Sequence, residues 1–377
     1  MKKRAGLGVA IGLALGVYGL VSLRDVTMAR ESMSGLTSRT EGVPALAYKV
    51  NQSGTVEAVS VIIGWDPGTG AGNGTLTVLN ETASTTLGTV AVDCDAAIGT
   101  VTTDTSMSWA VSAGDILKAK WSTGCTTYPD SNITITIVAP VTSNATVENI
   151  SGYGDPTVNG TYIFGGKLNS SGMVETISVG THTAGTGAGS GTLEVYNATT
   201  TTLLGSTTVD CDSAAGTVTA TAAPSWAVTA GDVLKVRWNG GCTTYPESNI
   251  IVSVAGTSSP PISHELLTGY LGGTTGNYNI GGRVDGAGTV ETISITGQQT
   301  VGSGAGNATL EVYNATTRTL LGSTTFDCDG AAFTFASTAA PSWAVAAGDV
   351  IKVRWNGGCT DYPDAVVMLG IDNAPGQ

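Results

Sequence analysis

Apolar and polar residues alternate along most of this chain, in short runs broken by glycine, asparagine and proline. In the middle third the runs are "MVETISVG" (173–180), "GTLEVYNA" (191–198), "TLLGSTTVD" (202–210), "GTVTATA" (216–222), "SWAV" (225–228), "DVLKVRWN" (232–239) and "NIIVSVAG" (249–256). A period of two is the mark of a strand with one face in a core and one in water. Seven or eight such strands, separated by turn residues, predict a β-sandwich of the jelly-roll or immunoglobulin-like kind. The phrase "AGD" before an alternating run (Gly114-Asp115, Gly231-Asp232, Gly348-Asp349) reads as a tight turn into a strand.

The pattern occurs three times. Trp121, Trp238 and Trp355 are 117 residues apart, as are Trp109, Trp226 and Trp343. "TLEVYNATTTTLLGSTTVDCD" (192–212) returns as "TLEVYNATTRTLLGSTTFDCD" (309–329), and a more diverged copy begins at Thr75. A unit of this length is domain-sized and should hold its own core. The reading is therefore all-β, with three tandem sandwiches over 44–140, 150–256 and 265–373. The segments between copies, 139–154 and 256–272, read as linkers.

Residues 1–43 read differently. Ala5 to Leu23 is uncharged, and Lys2, Lys3 and Arg4 precede it. As a helix the run would be about 28 Å long, close to a bilayer core. The basic residues put its start inside and the body outside. A retained anchor helix followed by a polar stalk over 24–43 is the favoured reading, with the membrane as partner. A cleaved signal peptide lacks a nearby small-residue cleavage site, and a pilin-type leader lacks the glutamate expected five residues into the mature chain. Gly8, Gly12 and Gly16 would give the helix a smooth face for self-association.

Charge narrows the partners. The net charge is −13, and five of the sixteen basic residues lie within the first 30. Such a body repels nucleic acid and anionic lipid, and no basic stripe offsets this.

Each copy has two cysteines 31 residues apart: Cys94 and Cys125, Cys211 and Cys242, Cys328 and Cys359. In an external protein this predicts one disulfide per copy. "VRWNGGCT" is then a strand, a glycine turn and a staple. Two carboxylates flank the first cysteine of each pair and a third follows the second. The trios are Asp93, Asp95 and Asp130; Asp210, Asp212 and Glu247; Asp327, Asp329 and Asp364. Brought together by the bridge, they form a candidate Ca²⁺ site. The alternative is solvated loop carboxylates.

The glycine-rich stretches at 68–74, 185–191 and 302–306 precede strands, so they read as hairpin or inter-sheet loops and not as phosphate cradles. His182 and His264 are the two histidines, and neither recurs across copies. No repeated catalytic histidine or zinc cluster follows, which argues against an enzyme. Asn-x-Ser/Thr sequons at Asn73, Asn80, Asn132, Asn144, Asn197, Asn307 and Asn314 are candidate glycosylation sites on an external surface.

The stretch "PSWAVTAGDVLKVRWNGGCTTYPESNIIVSV" (224–254) resembles the jelly-roll and β-sandwich modules of viral spike and appendage proteins. The resemblance implies a structural or attachment role with no catalytic residues to carry over. The expectation is a non-enzymatic, outward-facing component of a surface assembly, most simply a membrane-anchored virion spike that self-associates or joins other assembly subunits, its three sandwiches projecting as a stalk. A cellular surface protein (a pilin-like subunit, an S-layer-type protein or an adhesin) is the alternative. A carbohydrate-binding array that recognises a glycan receptor is the third class. It would show exposed aromatics, with Tyr196, Tyr313, Tyr245 and Tyr362 as the residues to place.

Overall fold

The computed structural model describes residues 28–373, apart from residues 38, 65, 141–144, 155–158, 161, 258–262, 273–275, 277, 279, 299–300 and 332–333. The proposed anchor, with Gly8, Gly12 and Gly16, lies outside these residues. Among the described residues no helix is long and apolar enough to cross a membrane. Every regular element among the described residues is a strand.

Repeat 1 holds β1 (Met28–Leu36), β2 (Pro44–Lys49), β3 (Gly54–Ile63), β4 (Asn73–Asn80), β5 (Thr85–Asp93), β6 (Val101–Asp104), β7 (Trp109–Val111), β8 (Ile116–Thr123) and β9 (Ser131–Pro140). Repeat 2 holds β10 (Ala145–Gly154), β11 (Tyr162–Lys167), β12 (Gly172–Thr183), β13 (Ser190–Asn197), β14 (Thr202–Asp210), β15 (Val218–Val228), β16 (Val233–Trp238) and β17 (Glu247–Thr257). Repeat 3 holds β18 (Ser263–Leu271), β19 (Ile280–Arg283), β20 (Gly288–Gly297), β21 (Asn307–Asn314), β22 (Thr319–Asp327), β23 (Phe335–Val345), β24 (Val350–Trp355) and β25 (Ala365–Asn373).

In repeat 2 the sheets run β10-β17-β12-β15 and β11-β16-β13-β14, and repeat 3 repeats this order with β18-β25-β20-β23 and β19-β24-β21-β22. Repeat 1 matches, except that its sixth strand is split into β6 and β7, both on β3. Counted within a repeat, the strands pair 1-8-3-6 and 2-7-4-5. This is the order of the jelly roll, the double Greek key found in viral capsid and lectin domains. It decides between the two sandwich types.

The two sheets of each repeat close over a core centred on a tryptophan. Trp121, Trp238 and Trp355 are buried and stack on Tyr128, Tyr245 and Tyr362 at centroid distances of 5.3, 5.2 and 6.1 Å. Trp109, Trp226 and Trp343 lie across Gly88, Gly205 and Gly322, where a Cβ would come within 1.9, 1.9 and 2.0 Å of the indole.

The domain boundaries need correction. β1 pairs with β9 from Met28↔Pro140 to Leu36↔Asn132, so much of the segment read as a stalk is the first strand of repeat 1. β10 and β18 likewise lie in the segments read as linkers. These strands escape a period-of-two reading because both of their faces are covered. Ser32, Ser34, Asn149, Ser151 and Thr268 are buried polar residues, not solvent-facing ones.

The arrangement of the repeats also differs from a projecting stalk. β1, β10 and β18 pack against one another around a common axis. Outside them, β2 packs on β12, β11 on β20, and β19 on β3, so that the third repeat returns to the first. One hydrogen bond recurs at all three junctions. The backbone N–H of Lys49 donates to Ser178 Oγ at 3.4 Å, Lys167 to Ser294 at 3.2 Å and Arg283 to Ser60 at 3.4 Å. The chain is a closed ring with approximate threefold symmetry. Its edge strands β2, β11 and β19 are packed against the neighbouring repeat, which protects these three edges, while β5, β14 and β22 end the same sheets on the other side.

Candidate functional site

Each repeat opens with Glu-x-x-Ser/Thr-Gly: Glu31 to Gly35, Glu148 to Gly152 and Glu265 to Gly269. Alternation along the strand sends Met33 and its equivalents into the sandwich and Ser34, Ser151 and Thr268 to the opposite, buried face. The glutamates are all buried. Glu31 accepts the N–H groups of Asn51 (3.0 Å) and Gln52 (3.1 Å), and Glu148 those of Asn169 (2.8 Å) and Ser170 (2.9 Å). Glu265 accepts that of Asp285 (3.0 Å). Each one therefore caps the turn between the second and third strands of its own repeat. The 117-residue spacing of these glutamates is a signal in the sequence, but it passes unnoticed because buried charge is not expected in a strand read as linker.

At two of the three junctions the residue before the glutamate meets the neighbouring repeat. Arg30 Nη2 donates to Asp285 O at 3.5 Å, and its charge acts on Glu265. His264 Nδ1 lies 2.7 Å from Asp372 Oδ1, and it feels the charge of Glu148. At the third junction the equivalent is Val147, and Glu31 instead accepts the hydroxyl of the buried Tyr48. Burial raises the pKa of all three glutamates, and for Glu265 the nearby Asp285 carboxylate adds to it. Burial works against the charge on His264, but Asp372 and Glu148 outweigh it and raise its pKa.

Two asparagines tie the ring on its inner side. Asn249 accepts the N–H of Leu36 at 3.0 Å and donates to its carbonyl at 3.1 Å, while Asn132 Oδ1 accepts the N–H of Tyr270 at 3.4 Å. Val366 stands at the third equivalent position.

The predicted disulfides are all formed: Cys94–Cys125, Cys211–Cys242 and Cys328–Cys359. The proposed Ca²⁺ trios are not assembled. The first cysteine of each pair faces inward, so the flanking Asp93 and Asp95, Asp210 and Asp212, and Asp327 and Asp329 face solvent. Two of the third carboxylates meet other partners. Asp130 lies 3.7 Å from Arg39 and beside Asp66. Glu247 accepts Thr183 Oγ1 at 2.7 Å and lies 3.4 Å from His182 Nδ1. Asp364 accepts the N–H of Gln298 on its backbone carbonyl. Among the described residues no group of three His, Cys, Asp or Glu side chains converges.

Four sequons are corrected in the same way. Asn80, Asn197 and Asn314 are buried, their amides donating to Asp115, Asp232 and Asp349 at 2.7, 2.8 and 2.7 Å. They fasten a hairpin turn to the "AGD" turn, and Asn132 is buried at the ring axis. Asn73 and Asn307 are exposed; Asn144 lies outside the described residues. The glycine-rich loops are tied to the segment after the second cysteine by the pairs Thr69↔Thr127, Thr186↔Thr244 and Ser303↔Asp361.

Of the tyrosines singled out, Tyr245 and Tyr362 belong to the core, and Tyr196 and Tyr313 lie on the outer sheet. Tyr162 packs on Tyr196, and Tyr278 on Tyr313, each pair 5.5 Å between centroids. Arg237 lies over Tyr196 at 4.4 Å, donates to its hydroxyl at 2.7 Å, and donates to Glu194 at 2.7 Å. Arg354 lies over Tyr278 at 4.7 Å and donates to Glu311 at 2.9 Å. Repeat 1 has no such cluster.

No protein-family model matches the chain, and no curated protein matches it. Among solved structures, the STIV MCP is 9% identical, with 61% of this chain and 96% of that chain covered and a TM-score of 0.23. A chain of the Sulfolobus Turreted Icosahedral Virus structure is 11% identical over 61% and 90%, with a TM-score of 0.21. A chain from an archaeal virus, described under the triple jelly roll fold and turret assembly, is 12% identical over 92% and 90%, with a TM-score of 0.18. These scores are too low to superimpose the molecules. The jelly-roll assignment rests on the strand order.

Proposed function

We propose that this chain is a structural, non-enzymatic building block of a virion surface assembly. The observation that supports this reading is the closed ring of three jelly rolls within one chain. The edges at β2, β11 and β19 are covered, cores interlock, and each repeat carries its own disulfide staple. Such a block holds its shape outside a cell and presents loops and sheet faces for contact with other subunits. β1 is one of the three strands about the axis, so the N-terminal segment joins the ring there, at Met28. An anchor helix in that segment would hold the ring over a membrane like a head on a post, with self-association of the helices gathering several rings into one spike or turret.

Cryo-electron microscopy of native particles and membranes, with mass spectrometry of the N-terminus, tests the proposal. Rings projecting from a virion, with the Met-Lys-Lys-Arg start retained, are expected. Rings found in a cellular filament or surface layer, or a mature chain beginning within Ala5–Leu23 and packed helix to helix, would overturn it in favour of a cellular surface protein.

A further inference from the structure

Repeat 1 departs from its sisters at one place on the outer face of the sheet β2-β8-β4-β5. Pro44 pairs with Lys120 where Tyr162 pairs with Arg237, and Leu79 stands opposite Thr86 where Tyr196 stands opposite Leu203. The two rings that fill this place in repeats 2 and 3 are therefore missing. What remains is a groove of about 350 Å³. That is within the roughly 300–1,000 Å³ of small-molecule sites.

Pro44 and Leu79 are its apolar members. Ser84, Thr85 and Thr86 line it with hydroxyls, each able to donate and accept. Glu81 and Lys118, 2.6 Å apart, complete it. Glu81 is peculiar to repeat 1, since the sister positions are Ala198 and Ala315. Lys118 is held on one carboxylate oxygen, and the Glu81 side chain remains 49% exposed. The equivalent lysines reach across to the next repeat instead: Lys235 lies over Phe335, and Lys352 donates to Gly99 O.

We propose that this groove binds a neutral pyranose ring of a surface glycan. Pro44 and Leu79 stand at the register positions where the sister repeat 2 places two six-membered rings. Pro44 and Leu79 receive the C–H face of a sugar, and the polar side chains around them receive its hydroxyls. The acid–base pair is neutral overall, and the strongly acidic body disfavours an anionic ligand. The inference rests on the surface-assembly reading for the source of the sugar, but the groove and its chemistry are independent of it.

The test is saturation-transfer NMR on the full-length chain in mild detergent, with methyl glycosides of glucose, galactose and mannose, and with N-acetyl-tyrosinamide as a second ring probe. Transfer to at least one hexoside is expected. It should fall at least fivefold in Leu79→Tyr and in Glu81→Ala. Leu79→Tyr copies a residue that repeats 2 and 3 already hold and should leave circular dichroism and the melting temperature unchanged; Glu81→Ala takes the partner from the buried Lys118 and should lower the melting temperature while leaving the circular dichroism of the native state unchanged. No transfer to any hexoside, or transfer unaffected by both substitutions, overturns the proposal. So does transfer to the tyrosinamide alone, which would make the groove a dock for an aromatic side chain. None of these failures bears on where the intact protein sits, which microscopy decides separately.

Discussion

The backbone N–H of Arg283 donates to the hydroxyl of Ser60, 223 residues earlier, and so joins the third repeat to the first. The cores interlock as well. Ile251 of repeat 2 belongs to the core cluster of repeat 1, and Met368 of repeat 3 to that of repeat 2. Repeats that share core residues should melt together. Scanning calorimetry is expected to show one endotherm, with a calorimetric to van't Hoff enthalpy ratio near one. Three separable transitions would mean that the ring contacts contribute little.

The clamp of Asn249 on Leu36 should be measurable alone. Replacement by valine, the residue at the equivalent position of repeat 3, leaves a buried N–H and a buried carbonyl without their partner. Asn249→Val should cost about 2 kcal/mol in urea unfolding. A loss of less than about 0.5 kcal/mol would show that the strand ladder satisfies Leu36 unaided.

Gly205 has no room for a side chain, since a Cβ would lie 1.9 Å from Trp226 Cζ2. Gly205→Ala must tip the indole away. A loss of about 1–3 kcal/mol is expected, with a change in the near-ultraviolet circular dichroism of tryptophan. Gly88→Ala and Gly322→Ala should behave alike, because Trp109 and Trp343 sit in the same way.

Stability should peak on the acid side of neutrality. Glu31, Glu148 and Glu265 have folded pKa values raised by burial above the usual 4.5. The native state then binds their protons more tightly than the unfolded chain does, and stability falls as pH rises past 4.5. Burial likewise pushes Asp130 up to about 6, with the same sign. The raised pKa of His264 adds stability below 6.5 that is lost above it. On the other side, the hydrogen bond to His182 holds Glu247 down at about 2, and its contribution is lost as pH falls from 4.5 toward 2. The melting temperature should therefore be highest near pH 4.5 and fall on either side, more steeply above about 6.5 where His264 also loses its proton. Glu265→Gln, which can still accept the turn N–H, should flatten the alkaline fall. A melting temperature that climbs steadily from pH 5 to 9 would contradict this reading.

Reductant should destabilise the protein and chelator should not. Each disulfide closes a loop of about thirty residues and contributes about 3–4 kcal/mol in the chain-entropy model. Reduction should lower the melting temperature markedly. EDTA should leave it unchanged, because among the described residues no three acidic side chains converge on one point. A fall with EDTA, reversed by added Ca²⁺, would restore the metal reading.

Much of this fold is written in local pattern. The alternation in "TLEVYNA", the turn at "AGD" and the cysteines 31 apart lead directly to strands, hairpins and three staples. Periodicity and spacing report what one repeat does with its own residues. They do not report what lies on a strand's second face. By pattern β1, β10 and β18 read as stalk and linker because neighbouring repeats cover that face, and serine, asparagine and threonine then sit where an isolated sandwich would meet water. Asn80, Asn197 and Asn314 look like sequons until the fold brings each one to an aspartate 35 residues later. The trio carboxylates are close in sequence to the bridges, but strand alternation turns the aspartate pairs to solvent, and Asp130 and Glu247 meet other partners. The sequence by itself determined the all-β class, the triplication and the disulfides, because those depend on residues near one another or on identical copies. Tertiary structure alone decided the ring, the buried glutamates about its axis and the open groove on repeat 1, because each depends on which surfaces meet after the three cores have formed.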